Sequence, residues 1–306
     1  MTGFLFVLLV IGTVLYILKS NRQAHKVDYS FGLKEARTAR QLLSRKQYDQ
    51  LEKLLRSLPP DTLTQTLDHL ALSSDEQDIA DWLSKGADKT AAHLLYGIYF
   101  GHQAWIARSH KPAEDVSEDA ADRFYTCLDK SQKHLLVVGD QSYLSAEAYS
   151  RLIRIYMGEG EPGKVDAYFK RAIAKDNVML WPYIHYAEAI QPKWGGTVEQ
   201  VKAFYNSLPD VPLIRQVIKL KLIWDSYTAG ENYMADTRAE LDHIAALTIT
   251  EIDREISENP STSVHRYIVY NYLMVLADEL NDNVIKKDNR SRMKEYYTLY
   301  PFGIIK

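Results

Sequence analysis

The chain has a single cysteine, Cys127, among 306 residues. That excludes an intramolecular disulfide and leaves no thiolate pair for a zinc site. It lacks a large excess of charge of either sign. A net charge of -3 carries none of the basic surplus typical of nucleic-acid binders, so no nucleic-acid partner is expected. No run of alternating β-branched residues is bounded by turn residues, so no sheet is expected. G-x-S-x-G and H-E-x-x-H are also missing, which removes the nucleophile elbow and the helical zinc-protease motif. Hydrophobic content of 46% and charged content of 25% are ordinary for a folded chain.

Long apolar runs are scarce too, with one exception. Residues 3–18 (GFLFVLLVIGTVLYIL) carry no charge, and neither do the two residues before them. Eighteen residues of helix reach about 27 Å at roughly 1.5 Å per residue, close to a ~30 Å hydrocarbon core. A cleaved signal peptide is the alternative. However, no Lys or Arg precedes Gly3, and Arg22-Gln23-Ala24 is a poor cleavage site. The expectation is an uncleaved transmembrane anchor over residues 1–20, followed by a basic linker over 21–32.

Lys19, Arg22 and Lys26 place the positive flank after the anchor. The remainder is therefore expected in the cytoplasm, in a single-pass topology. Residues 19–56 hold ten Lys/Arg against four Asp/Glu, an excess of six that leaves the rest of the chain at -9. This stretch suits apposition to anionic headgroups, at about 1 kcal/mol per basic residue near the surface. A solvated basic helix pair is the alternative.

Residues 33–306 read as one all-helical domain. Residues 33–46 and 48–58 form short amphipathic helices, the second stopped by Pro59-Pro60. Ser74 and Gln77 fit a capping box. Residues 89–109 make a longer helix rich in small and aromatic side chains, and Ser117 caps another running towards Leu136. Further helices are expected over 213–229, 234–257 and 264–280, with an aromatic tail at Tyr296, Tyr297, Tyr300 and Phe302.

The internal period is that of a tetratricopeptide (TPR) unit of about 34 residues. With Ala146 as its first position, Tyr149, Leu152, Tyr156, Phe169 and Ala172 fall on the positions where such units place aromatics, leucine and small residues. Ile153 and Val165 depart from the pattern. The next unit carries Tyr183 and Ala187, then slips by one residue at a turn made of Pro192, Trp194, Gly195, Gly196 and Thr197. There Gly195 or Gly196 takes the left-handed conformation that ends a helix, and Thr197 with Gln200 caps the next one.

Ala104-Trp105-Ile106-Ala107-Arg108, followed by Pro192-Lys193-Trp194-Gly195-Gly196-Thr197, resembles a bacterial family of unknown function. Its members pair an Ala-Trp-x-Ala-Arg-Gly helix with a Pro-x-Trp-Gly-Gly-Ser/Thr turn. The resemblance covers about residues 82–209, and Ser109 stands where the family has Gly. It implies a TPR-like array, and a bacterial inner membrane for the anchor. It brings no established activity and hence no catalytic residues.

Candidate chemistry is sparse. Gly158, Gly160 and Gly163 spell G-x-G-x-x-G, but after a helix and beside Glu159 and Glu161, which repel phosphate; a turn is expected. His185 and Glu188 have the i, i+3 spacing of di-iron bundles, yet no second Glu-x-x-His accompanies them. His93 and His102 lie nearly opposite on one helix and cannot converge with each other or with His110. Cys127 reads as a small packing residue.

The twenty-one tyrosines are the better lead. Trp105 with Arg108, and Tyr183 with Tyr186, either line a concave binding surface or pack the repeats. The resulting expectation is a membrane-anchored, all-α, TPR-like solenoid that binds a protein or peptide through Trp105, Arg108, Tyr183 and Tyr186. It uses no metal or cofactor and has no catalysis of its own. Two alternatives stand beside it: a helical-bundle metalloenzyme at His185 and Glu188, and a periplasmic envelope-associated module if the anchor runs the other way.

Overall fold

The computed structural model describes residues 29–282 apart from 110–112, 141, 230–231 and 259–262. Among these residues every regular element is helical, with thirteen α-helices and two short 3-10 turns. The first half comprises α1 (Lys34–Ser44), α2 (Tyr48–Arg56), α3 (Pro60–Ser73), α4 (Glu76–Lys85), α5 (Thr90–Arg108) and α6 (Glu118–Val137). The second comprises α7 (Ser145–Gly158), α8 (Pro162–Lys175), α9 (Leu180–Ala189), α10 (Val198–Asn206), α11 (Pro212–Ala229), α12 (Arg238–Glu258) and α13 (Ser263–Glu279). Among the described residues no helix is long and apolar enough to cross a membrane. The expected anchor over 1–20, most of the linker over 21–32 and the aromatic tail at 296–302 lie outside them.

The helix ends follow from local chemistry. Pro60 does more than stop α2: it is the first residue of α3, where its missing N–H is no loss. Ser117 caps α6 by accepting from the Ala120 amide at 3.4 Å. The capping box expected at Ser74 and Gln77 does not form. Asp75 precedes α4 in extended conformation with no side-chain cap. The Gln77 amide reaches forward instead to Asp81, one turn along, at 3.0 Å.

Each odd-numbered helix packs on the next odd-numbered one, from α1 on α3 through to α11 on α13. Even-numbered helices pack on their sequence neighbours, most closely α6 on α5 and α8 on α7. Close approach between α5 and α6 lets the buried Ser131 hydroxyl donate to the carbonyl of Gly97 at 2.6 Å. The odd row also curls back on itself, because α3 touches α9 and α13 as well as its neighbours. At the same closure Phe31 meets Tyr267 of α13, with ring centres 5.2 Å apart.

α3 is buried on nearly every side. Leu63, Thr64, Gln65, Thr66, Leu67, Leu70 and Ala71 are all inside. The apolar interior forms two clusters, one mainly from α1 to α8 and one mainly from α9 to α13, the second also taking in Phe31, Leu33 and Ala36. Phe169 and Tyr186 pack against both. Each fully buried leucine such as Leu67 or Leu70 contributes about 2 kcal/mol relative to exposure.

Candidate interaction surface

The turn between α9 and α10 is built from two glycines with different duties. Gly195 takes the left-handed conformation, φ +90°. Gly196 does not, but a Cβ on it would lie 1.9 Å from the Ile190 carbonyl oxygen. Thr197 accepts from the Gln200 amide at 3.1 Å, and the Gln200 side chain accepts from the Thr197 amide at 2.9 Å. This is the expected capping box.

Trp194 turns back over α9 and donates its indole N–H to Glu188 at 3.2 Å. Its ring meets that of Trp105 edge to face, with centres 5.5 Å apart. Trp105 also packs on Phe124, and the Arg154 guanidinium lies 4.9 Å over its ring. The indole N–H of Trp105 is buried without a hydrogen-bond partner. The end of α5, the start of α6, the middle of α7 and the α9–α10 turn thus meet at a seam centred on two tryptophans.

Two charged networks tie the helices beneath it. In the first, Arg151 of α7 bridges Asp68 of α3 and Glu147, each at 2.7 Å. Thr64 donates to Glu147 at 2.5 Å, and His102 of α5 pairs with Asp68 at 2.8 Å. Burial alone would raise the Asp68 pKa, but Arg151 and His102 hold it well below the usual carboxylate range. Burial outweighs Arg151 at Glu147 and pushes that carboxyl up. Asp61 of α3 accepts from the Leu180 amide at 3.0 Å and so caps α9. Burial pushes Asp61 up to about 7 against this hydrogen bond, and nearby Glu147 and Asp176 push the same way.

In the second network the buried Lys221 of α11 lies 2.6 Å from both Glu188 and Asp225. Gln191 donates to Asp225 at 2.6 Å. Burial opposes ionisation of Glu188, but Lys221 and Lys193 hold it well below its usual value.

The tyrosines weighed as groove liners are packing residues in this geometry. Tyr183 is 4% exposed; its ring meets Phe169 and its hydroxyl donates to the Asn177 carbonyl at 3.0 Å. It offers no surface to a partner. Tyr186 is half-buried, stacks on Phe169 at 4.1 Å and donates to Asp166 at 2.7 Å. Trp105 and Arg108 are half-buried at the end of α5. Ile106, next to Trp105, is 44% exposed, and Tyr125, whose ring packs on Phe124, is 57% exposed.

Sequence reasoning missed Arg154 and Tyr125. Arg154 had a signal, being a cation inside the apolar run Leu152, Ile153, Ile155, Tyr156.

His185 is buried, with Nδ1 2.9 Å from the Ser150 carbonyl oxygen. Burial, aided by Arg154 and Arg151, drives its pKa well below normal. Its expected companion Glu188 is engaged by Lys221, Lys193, Trp194 and Gln191. Among the described residues no group of three or more His, Cys, Asp or Glu is placed to hold a metal ion. His93 and His102 diverge as expected, His93 towards His134 and His102 towards Asp68; His110 is outside the described residues. Gly158 ends α7 and Pro162 starts α8, so the glycine motif is a helix–helix turn. Cys127 is half-buried, and burial raises its thiol pKa.

The basic stretch 19–56 is partly neutralised in three dimensions. Arg40 pairs with Asp78, Lys46 with Asp81, and Arg56 with Glu52 and Asp88.

No family model, curated protein or solved structure matches this chain.

Proposed function

We propose that this chain is a membrane-anchored helical scaffold, TPR-like in its stacking, that holds a protein or peptide partner at the cytoplasmic face without catalysis of its own. The observation that carries this is the packing of each odd-numbered helix on the next. Helical-repeat scaffolds are built that way, and they serve mainly as binding surfaces. The anchor and its orientation rest on the apolar run 3–18 and its basic C-terminal flank.

The partner surface is the Trp105–Trp194 seam rather than an inner groove, because α3 fills the inside of the curled row. Tryptophan, tyrosine and arginine dominate binding hot spots. The seam offers two half-buried indoles and the exposed Tyr125, whose ring packs on Phe124 beside Trp105. A photocrosslinking residue at Tyr125, in the full-length protein in native membranes, should give a discrete protein adduct. The same residue at Leu247, 58% exposed on α12, should not. Adducts from Leu247 alone, or from neither position, would refute this assignment.

A further inference from the structure

His93 of α5 and His134 of α6 face each other with their Nδ1 atoms 2.9 Å apart and their ring centres 5.1 Å apart. Both rings are half-buried, so one edge of the pair is open to water. Burial lowers both pKa values, with help from Lys89 at His93 and from His93 at His134. One Nδ1 carries a proton and the other accepts it. Tyr96 and Phe100 flank the pair, with ring centres 4.7 Å and 6.1 Å from that of His134.

Neutral imidazole is the commonest protein ligand for zinc and its neighbours. We infer that His93 and His134 form a two-histidine site for a borderline transition-metal dication, with zinc as the reference ion and water completing its shell.

The ring positions fit. With Zn–N near 2.05 Å and tetrahedral angles, two nitrogen ligands lie about 3.3 Å apart and their ring centres about 5.2 Å apart. The observed centres already stand at 5.1 Å. The Nδ1 atoms, 2.9 Å apart and facing each other, have to separate by about 0.4 Å and turn towards one ion. The proton balance is simple. The ring protonated at Nδ1 releases that proton to water and takes one at Nε2, so it stays neutral while both Nδ1 atoms bind the metal. No net proton is released in this exchange. Among the described residues no third His, Cys, Asp or Glu joins the pair, which makes the site exchangeable rather than structural.

Zinc chloride titrated calorimetrically into the full-length protein should show one site that magnesium does not compete for. The His93→Gln, His134→Gln double variant should lose at least tenfold in affinity. Equal affinity in the two proteins, or no uptake by wild type, would leave only a hydrogen-bonded pair of rings and overturn the proposal. If the double variant does not fold, the wild-type protein decides alone. Zinc should protect His93 and His134 from acylation by diethyl pyrocarbonate at least fivefold and leave the exposed His243 unchanged. Equal labelling with and without zinc would contradict the site.

Discussion

Trp105 and Trp194, far apart in sequence, meet edge to face with ring centres 5.5 Å apart, and this contact fixes the α9–α10 turn against the end of α5. The turn holds Trp194 in place only if its backbone can pass beneath Ile190, and that condition falls on Gly196.

Gly196→Ala should therefore destabilise more than Gly195→Ala, although only Gly195 has a positive φ. The added Cβ at 196 meets backbone at 1.9 Å, whereas the space around Gly195 is open. Backbone strain at 195 costs about 1–2 kcal/mol. Displacing a main-chain carbonyl at 196 costs about 3 kcal/mol. Chemical denaturation of the two variants gives the order, and the reverse order would show that the turn is held otherwise.

Removing Arg151 takes the guanidinium from the buried Glu147 and the half-buried Asp68. Arg151→Met should cost about 3–5 kcal/mol, the usual penalty for breaking a buried ion pair from one side. Adding Asp68→Asn and Glu147→Gln to that variant should recover much of the loss. Urea titrations of the single and triple variants test this, and equal instability would mean that Arg151 acts by packing.

The Asp61 cap predicts a pH dependence of definite sign. Its folded pKa, about 7, is above the ~3.9 of an unfolded aspartate. The folded state therefore holds the proton more tightly, and this contribution to stability is complete below about pH 4 and lost as pH rises to about 7. Asp61→Asn keeps an acceptor for the Leu180 amide without the charge. It should gain on wild type as pH rises from 5 to 8, by about 1 kcal/mol once partial exposure is allowed for. The neutral His185, driven well below its normal pKa, acts oppositely and destabilises the fold in acid. Only the difference between the two proteins isolates Asp61. A difference independent of pH would remove the carboxyl from the account.

The proposed topology, with the basic flank at Lys19, Arg22 and Lys26 on the cytoplasmic side, makes a prediction of its own. A C-terminal reporter that is active only in the periplasm should stay silent. Activity there would reverse the orientation and place the globular part outside.

Much of the fold was legible because helices announce themselves locally. Apolar periodicity placed the main helices to within a few residues, and Thr197 with Gln200 marked the start of α10. The position of α3 was not legible. Its sequence Thr64-Gln65-Thr66 reads as polar, yet all three side chains are buried. Thr64 is satisfied by a glutamate on α7, a partner that no local pattern reveals. Tyr183 shows the converse. An amphipathic ring reads equally as groove liner or core, and only the neighbouring Phe169 and Phe204 decide it. The pairing of Arg40, Lys46 and Arg56 was hidden for the same reason, because Asp78, Asp81 and Asp88 lie later in the chain.

The central claim is that a partner is held at the Trp105–Trp194 seam, and co-purification from native membranes tests it most directly. Full-length wild type and a Tyr125→Asp variant, altered at an exposed position beside the seam, should show the same helical content and melting temperature. The account predicts a specific protein recovered with wild type, absent from an anchor-only control, and reduced at least tenfold with the variant. Undiminished recovery with Tyr125→Asp, or nothing above the anchor-only control, would contradict it.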